Sequence, residues 1–157
     1  MKINWKQLII SILISVGVGA LAGILTRNSM DVYSMFNKPP LAPPGWLFPI
    51  VWTILYVLMG ISAYLVYSAD VLQEDKEKAL SVYSFQLFFN FLWSIVFFNF
   101  QARLLSFIIL IILWVLIIMM IILFNKVSKV AAKLQIPYLL WVTFAGYLNF
   151  MVYYLNR

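Results

Sequence analysis

Five long apolar runs, separated by short polar stretches, make up most of the chain. The runs cover residues 5–25, 46–67, 80–100, 104–124 and 134–155. A helix needs about 20 apolar residues to cross the hydrocarbon core of a bilayer. Backbone groups in lipid must also be hydrogen-bonded within their own segment, and a helix meets that requirement. The pattern therefore predicts an all-α membrane protein, a five-transmembrane-helix bundle that forms a single domain over residues 1–157.

Charged residues lie at the ends of the runs. With five spans, the N-terminus and the second and fourth loops share one side, which carries seven lysines: Lys2, Lys6, Lys76, Lys78, Lys126, Lys129 and Lys133. The other side carries Arg27, Lys38, Arg103 and Arg157. The positive-inside rule then predicts a multi-pass protein of the cell membrane with a cytoplasmic N-terminus, and with loop one and the C-terminus outside. Coupled transport generally uses ionisable groups inside the spans, so this distribution argues against an active transporter.

The first run contains a stripe of small residues at every fourth position: Ser11, Ser15, Gly19 and Gly23. Such a stripe is typical of close helix–helix packing in membranes. The stretch 20–22 (ALA) resembles a signal-peptide cleavage site, but the run is long enough to span and a discarded leader has no use for the stripe. We therefore expect a retained helix, whose stripe packs either within the bundle or in a dimer.

The first loop, residues 26–45, is longer and more apolar than a solvated linker. Its four prolines stiffen the backbone by fixing φ, and the apolar side chains between them favour a surface to cover. Long loops in compact domains are usually functional or disordered. We expect a folded Pro-rich loop between helices 1 and 2 that acts as a lid over one end of the bundle. The alternative is an ordered interfacial loop that merely seals that end.

Composition narrows the chemistry further. Hydrophobic residues make up 65% of the chain and charged residues 10%, and the mean hydropathy is +0.99, which leaves no room for a soluble domain. The chain has no Cys and no His, which excludes disulfides, Cys or His nucleophiles and the usual ligands of zinc and haem iron. We predict no metal site. The net charge of +6 is assigned to basic residues that flank the spans, so no nucleic-acid partner is expected.

Polar and aromatic side chains share faces on three of the predicted helices. Gln86, Asn90 and Ser94 recur every fourth residue of the third span, with Trp93 and Phe97 beside them. The corresponding sets are Phe48, Trp52 and Tyr56 in the second span and Tyr138, Trp141, Ala145, Leu148 and Asn149 in the fifth. Aromatic rings with sparse polar groups suit a pocket for a flat, largely apolar ligand. Two alternatives remain open, an interfacial belt of Trp and amides that hydrogen-bond helix to helix.

Three separated motifs carry a family resemblance. They are residues 38–44 (KPPLAPP) followed by 48–56 (FPIVWTILY), residues 85–94 (FQLFFNFLWS) and residues 137–145 (PYLLWVTFA). With them the chain resembles a bacterial member of the translocator protein family, known as TspO/MBR, tryptophan-rich sensory proteins or peripheral-type benzodiazepine receptors. The resemblance implies a five-helix bundle, a homodimer in the lipid bilayer, and a pocket roofed by loop one.

The resemblance also implies a function. We expect from it a membrane receptor or binding protein for porphyrins such as protoporphyrin IX, and for similar flat apolar ligands that include benzodiazepine-type and isoquinoline carboxamide drugs. A role in sensing or regulating tetrapyrrole levels and oxidative stress is also implied. No cofactor is expected, and without His or Cys a metal-free porphyrin is the preferred ligand. The ligand-binding residues would be Tyr33, Pro43, Phe48, Trp52, Tyr56, Gln86, Asn90, Trp93, Ser94, Phe97, Trp141, Ala145 and Leu148.

Two other functions stay open at this point. In the first, Trp52 and Trp141 are catalytic residues of a light- and oxygen-dependent enzyme that degrades porphyrin, as the resemblance suggests for bacterial members. In the second, the bundle is a passive transporter of porphyrin-like or sterol-like ligands.

Overall fold

Five long helices form the protein in the computed structural model, which describes residues 2–29 and 31–157, with Met1, Met30 and the side chain of Val32 outside the described part. The long helices are α1 (Trp5–Thr26), α3 (Leu47–Tyr67), α4 (Gln73–Ser94), α5 (Arg103–Val127) and α7 (Ile136–Asn156). Two short helices, α2 (Val32–Met35) and α6 (Lys129–Leu134), lie between them. A 3₁₀ turn at Arg27–Ser29 follows α1, and a π turn at Ile95–Asn99 continues α4. All five long segments are long and apolar enough to span a membrane, which confirms the predicted fold class.

One of the predicted spans differs clearly from the structure, and one short helix was not predicted. The third helix begins at Gln73 rather than at residue 80, because its first turns are a polar helix that extends beyond the apolar run. Glu74 and Asp75 lie in the first turn, where carboxylates interact favourably with the helix dipole. The fifth predicted span corresponds to α7 within two residues, and a short additional helix, α6, precedes it and ends at Leu134. Pro137 stands in the first turn of α7, where its missing N–H costs nothing.

Three members of the small-residue stripe of α1, Ser11, Ser15 and Gly19, pack against α3 within the bundle. The Ser11 hydroxyl donates to the carbonyl of Gly60 at 2.7 Å, and the Ser15 hydroxyl donates to the carbonyl of Tyr56 at 2.6 Å. A Cβ added at Gly60 would lie 2.5 Å from the Cα of Ile12. The two backbones therefore approach as closely as a glycine permits. Of the two uses that the sequence left open for the stripe, the structure shows packing inside the chain.

Loop one is folded onto the end of the bundle that holds the C-termini of α1, α4 and α7, here called the lid end. Asn156 clamps the loop, because its side chain accepts from the Asn37 N–H and donates to the Asn37 carbonyl, both at 3.1 Å. The Tyr147 hydroxyl donates to the carbonyl of Pro40 at 2.9 Å. Leu41 takes a positive φ of 73° at the exposed tip. The loop thus covers this end of the bundle, as both alternatives from the sequence require, and it is called the lid below.

The remaining contacts complete one packed core. Helix α4 packs against α5, α5 against α7, and α3 against α6. The Ser62 hydroxyl of α3 donates to the carbonyl of Ala131 in α6 at 2.7 Å, at the end remote from the lid. The seven lysines named above belong to that remote end, whereas Arg27, Lys38, Arg103 and Arg157 belong to the lid end. Which end faces the cytoplasm stays a prediction.

An aromatic cavity under the lid

A cavity of about 260 Å³ lies beneath the lid, between α1, α3, α4 and α7. Its walls are mainly aromatic and small aliphatic side chains, and among the described residues none that lines it is charged. The lining includes most of the residues predicted from the sequence: Tyr33, Phe48, Trp52, Tyr56, Trp93, Ser94, Phe97, Trp141, Ala145 and Leu148. Pro43, Gln86 and Asn90 were predicted with them but lie outside the lining set.

Trp52 is the centre of the ring contacts in the cavity wall. Its ring stacks on Tyr56 at a centroid distance of 5.7 Å and meets the ring of Trp141 edge-on at 6.5 Å. The ring centroid of Trp93 lies 6.2 Å from that of Trp52. Edge-to-face and offset-stacked pairs at such distances are favourable, typically by about 0.5–1.5 kcal/mol beyond area burial. These contacts hold the rings in place and leave an aromatic surface facing the cavity.

The lid contributes one ring to the cavity. Tyr33 is buried, its hydroxyl donates to the carbonyl of Pro43 at 2.9 Å, and its ring meets Phe48 edge-on at 5.0 Å. Burial raises the pKa of the Tyr33 phenol above its ordinary value. Pro43 therefore acts on the site through Tyr33, because its carbonyl fixes the Tyr33 ring.

The amide of Asn90 belongs to a buried polar chain between the helices. The Tyr56 hydroxyl donates to Asn90 Oδ1 at 2.6 Å, and Asn90 Nδ2 donates to the Tyr138 hydroxyl at 2.8 Å. The Tyr138 hydroxyl donates in turn to Gln86 Oε1 at 2.6 Å. Asn90 and Gln86 are fully buried and lie outside the cavity lining. The Asn90 amide and the Gln86 Oε1 atom instead hydrogen-bond tyrosines of other helices. This is the alternative that the sequence left open for these two residues.

Asn149 joins three elements at the cavity wall and was missing from the predicted site. Its Oδ1 accepts from Trp93 Nε1 at 2.9 Å and from the Ser106 hydroxyl at 3.2 Å, while its Nδ2 donates to the carbonyl of Arg103 at 3.0 Å. Asn149 thus fixes the Trp93 indole. The sequence placed Asn149 on the aromatic face of the fifth span, which was a usable signal. Its partners on α5, Ser106 and Arg103, gave no such signal in the sequence, because that helix was recognised by hydropathy alone.

The π turn at Ile95–Asn99 places Phe97 and Phe98 together on the cavity wall. A π turn inserts one residue into an α-helix and often occurs at functional sites. Phe97 stacks on Trp93 with ring centroids 5.5 Å apart. Phe98 was not predicted. Other lining residues that the sequence analysis missed are small or aliphatic: Val16, Gly19, Ala20, Ala22, Gly23, Thr26, Pro49, Thr53 and Val152.

Comparison with known proteins supplies the family. Residues 11–155 match the model of the TspO/MBR family. A tryptophan-rich protein TspO of Archaeoglobus fulgidus is 37% identical over 154 residues, which cover 98% of this chain and 99% of that protein. A tryptophan-rich sensory protein of Cereibacter sphaeroides is 34% identical over 99% of this chain and 95% of its own length. The translocator protein of Ovis aries is 30% identical over 80% of this chain and 75% of its own length. This five-helix membrane protein therefore belongs to the TspO/MBR family.

Proposed function

We propose that the protein is a membrane receptor that binds flat, largely aromatic, apolar ligands in the cavity under the lid, with porphyrins such as protoporphyrin IX as the principal class. The observation that carries this proposal is the lining of the cavity, where Phe48, Trp52 and Trp141 present rings from two helices. Ligand pockets combine apolar and aromatic walls with few polar groups. Related chains are named sensory and translocator proteins, which agrees with a receptor-like role.

Cavity size decides how ligands of this class fit. Pockets for drug-sized molecules span roughly 300–1,000 Å³, and this cavity of about 260 Å³ lies just below that range. A compact ligand of two or three rings, such as a benzodiazepine-type or isoquinoline carboxamide drug, needs little expansion. A tetrapyrrole is larger, so part of the macrocycle must project from the cavity or displace the lid.

The remaining parts of the proposal follow from the sequence. No His or Cys is present to ligate iron, so a metal-free porphyrin is the preferred form and the protein needs no cofactor. The lysine-rich end is proposed to face the cytoplasm, with the lid outside. A homodimer is proposed from the family resemblance.

Ligand titration in nanodiscs tests the proposal. We expect protoporphyrin IX to quench tryptophan fluorescence with a saturable curve, and Trp141→Phe to raise the Kd about two- to tenfold, because one aromatic contact contributes about 0.5–1.5 kcal/mol. Trp114→Phe is the matched control, since the Trp114 indole lies outside the cavity lining and donates to the Thr143 hydroxyl at 2.9 Å. Linear, unsaturable quenching, or equal Kd values for both variants, would contradict binding in this cavity.

A second candidate function is light- and oxygen-dependent degradation of the bound porphyrin. The observation that favours it is the direct contact of Trp52 with Trp141 and Tyr56, which offers a set of oxidisable rings beside the ligand. Dioxygen would be the oxidant and light the energy source. Under illumination in air we expect the porphyrin absorption band to decay with the wild type and to persist in a Trp52→Phe/Trp141→Phe double variant. Decay at the same rate in the double variant, at equal occupancy of the site, would rule out an enzymatic role.

A further inference from the structure

Four of the residues that line the cavity are also exposed on the outer surface of the bundle. They are Ala20 and Gly23 on α1 and Pro49 and Thr53 on α3. The other lining residues are buried or half-buried. The exposed ones come from two neighbouring helices, and the strip of surface that they border between α1 and α3 is here called the lateral slot.

Hydrogen bonds hold α1 and α3 together at one end of the pair, and the slot lies at the other. Asn4, Ser11 and Ser15 bond to Tyr64, Gly60 and Tyr56 in the half remote from the lid. Towards the lid end, α1 presents Gly19, Ala20 and Gly23, and a Cβ added at Gly23 would have nothing within 4 Å. The Tyr56 ring closes the α1–α3 contact at Gly19, where an added Cβ would meet it, so the slot lies beyond that ring, beside Ala20 and Gly23.

The edges of the slot match the interior of a bilayer. The Thr53 hydroxyl donates to the carbonyl of Pro49 at 2.7 Å, so its hydrogen is already satisfied within α3. Exposed neighbours on the same two helices are Leu21, Ile24, Ile50 and Ile54. An apolar molecule dissolved in the hydrocarbon core can cross such an edge without losing hydrogen bonds to water.

The route past the lid, unlike the slot, is held closed by hydrogen bonds. Asn156 holds Asn37 by two hydrogen bonds, Tyr147 holds Pro40, and Tyr33 is fixed to Pro43. Lifting the loop off the bundle requires the bonds of Asn156 to Asn37 and of Tyr147 to Pro40 to break, whereas Ala20, Gly23, Pro49 and Thr53 make no side-chain hydrogen bond across the slot. Ligands of the proposed class also concentrate in lipid rather than in water.

We propose that ligands enter and leave the cavity sideways, from the hydrocarbon core of the bilayer through the lateral slot, while the lid stays closed. The inference rests on the proposed binding function. It also gives a tetrapyrrole too large for the cavity a place for the part that projects, since that part can extend through the slot into lipid.

Reversible cross-linking tests the slot. The chain has no Cys, so an Ala20→Cys/Thr53→Cys double variant can be bridged across the slot by a short bis-thiol reagent with a reducible linker. With protoporphyrin IX in nanodiscs, we expect bridging to slow association and dissociation at least tenfold, and reduction to restore both rates. An Asn37→Cys/Asn156→Cys double variant, bridged to lock the lid, should keep the rates of the unbridged protein. If the lid bridge slows exchange and the slot bridge does not, the proposal is wrong.

A pair of glycine variants gives an independent check without a reagent. Gly23 and Gly17 are both exposed glycines of α1 with nothing within 4 Å of an added Cβ, but Gly23 lines the cavity and Gly17 does not. Gly23→Phe should lower the association and dissociation rates together, and Gly17→Phe should leave them unchanged. An unchanged association rate in Gly23→Phe would overturn the slot. Absence of saturable binding in the unmodified protein is a different failure, because it removes the proposed function itself.

Discussion

Gly60→Ala is expected to separate α1 from α3 and to lower the free energy of unfolding by about 1–3 kcal/mol. The new methyl group would lie 2.5 Å from the Cα and 2.9 Å from the N of Ile12, well inside the roughly 3.5–4.0 Å of a carbon contact. Backbone atoms cannot turn aside as a side-chain end can, so the helices must move apart. Overpacking of this kind typically costs about 1–3 kcal/mol.

Hydrogen bonds add to that cost. The bonds from Ser11 to Gly60 and from Ser15 to Tyr56 are 2.7 and 2.6 Å long and need the close approach of the two helices. Each interhelical bond in a membrane contributes on average about 0.6 kcal/mol. Alanine has a higher helix propensity than glycine, which stabilises the folded state by about 1 kcal/mol. This gain nearly offsets the loss of both hydrogen bonds. The steric term therefore decides the sign.

Gly146→Ala is the matched control. It is another helical glycine, but its added Cβ would meet the Leu110 Cδ2 atom at 3.1 Å, the movable end of a side chain. We expect the Gly146 variant to unfold within about 0.5 kcal/mol of the wild type in a denaturant titration in detergent micelles, where the Gly60 variant unfolds much earlier. Equal stability of the two variants would show that α1 tolerates displacement from α3, and that the stripe does not set the packing.

Hydropathy alone predicted α1, α3 and α5 to within three residues at each end, since those helices begin and end with their apolar runs. It failed for the start of α4, where Gln73 to Lys78 form a polar helix outside the apolar span. Helix α6 was missed for a related reason. Its N-terminus depends on Ser128, whose hydroxyl accepts from the Ala131 N–H at 3.2 Å, and a local cap of this kind has no hydropathy signal.

Aromatic positions in the candidate site followed from helical spacing, but the direction of the amides did not. Spacing places Asn90 and Ser94 on one face of α4, yet Ser94 lines the cavity and Asn90 is fully buried. The difference depends on Tyr56 and Tyr138, whose hydroxyls lie on either side of the Asn90 amide. A partner on another helix is set by tertiary packing. The periodicity of one helix holds no information about it.

Asn90→Leu is therefore expected to lower stability, and Ser94→Leu is expected to weaken ligand binding. Asn90→Leu leaves the Tyr56 hydroxyl without its acceptor and removes one of two bonds of the Tyr138 hydroxyl. An unsatisfied buried hydroxyl costs about 1–3 kcal/mol, so we expect the free energy of unfolding to fall by about that amount. The Kd for protoporphyrin IX should stay within about threefold. Ser94→Leu adds bulk to the cavity lining, so it should raise the Kd at least tenfold with little loss of stability.

A double-mutant cycle separates the Tyr56–Asn90 bond from general damage to the core. In a Tyr56→Phe background the hydroxyl that Asn90→Leu would orphan is already gone, so the further cost of Asn90→Leu should fall by about 1 kcal/mol. Denaturant titrations of the wild type, both single variants and the double variant measure this coupling energy. Additive losses would mean that the 2.6 Å bond contributes nothing to stability. A tenfold rise in Kd for Asn90→Leu at wild-type stability would instead show that the amide contacts the ligand, which would require Asn90 to leave Tyr56 and Tyr138 when the ligand binds.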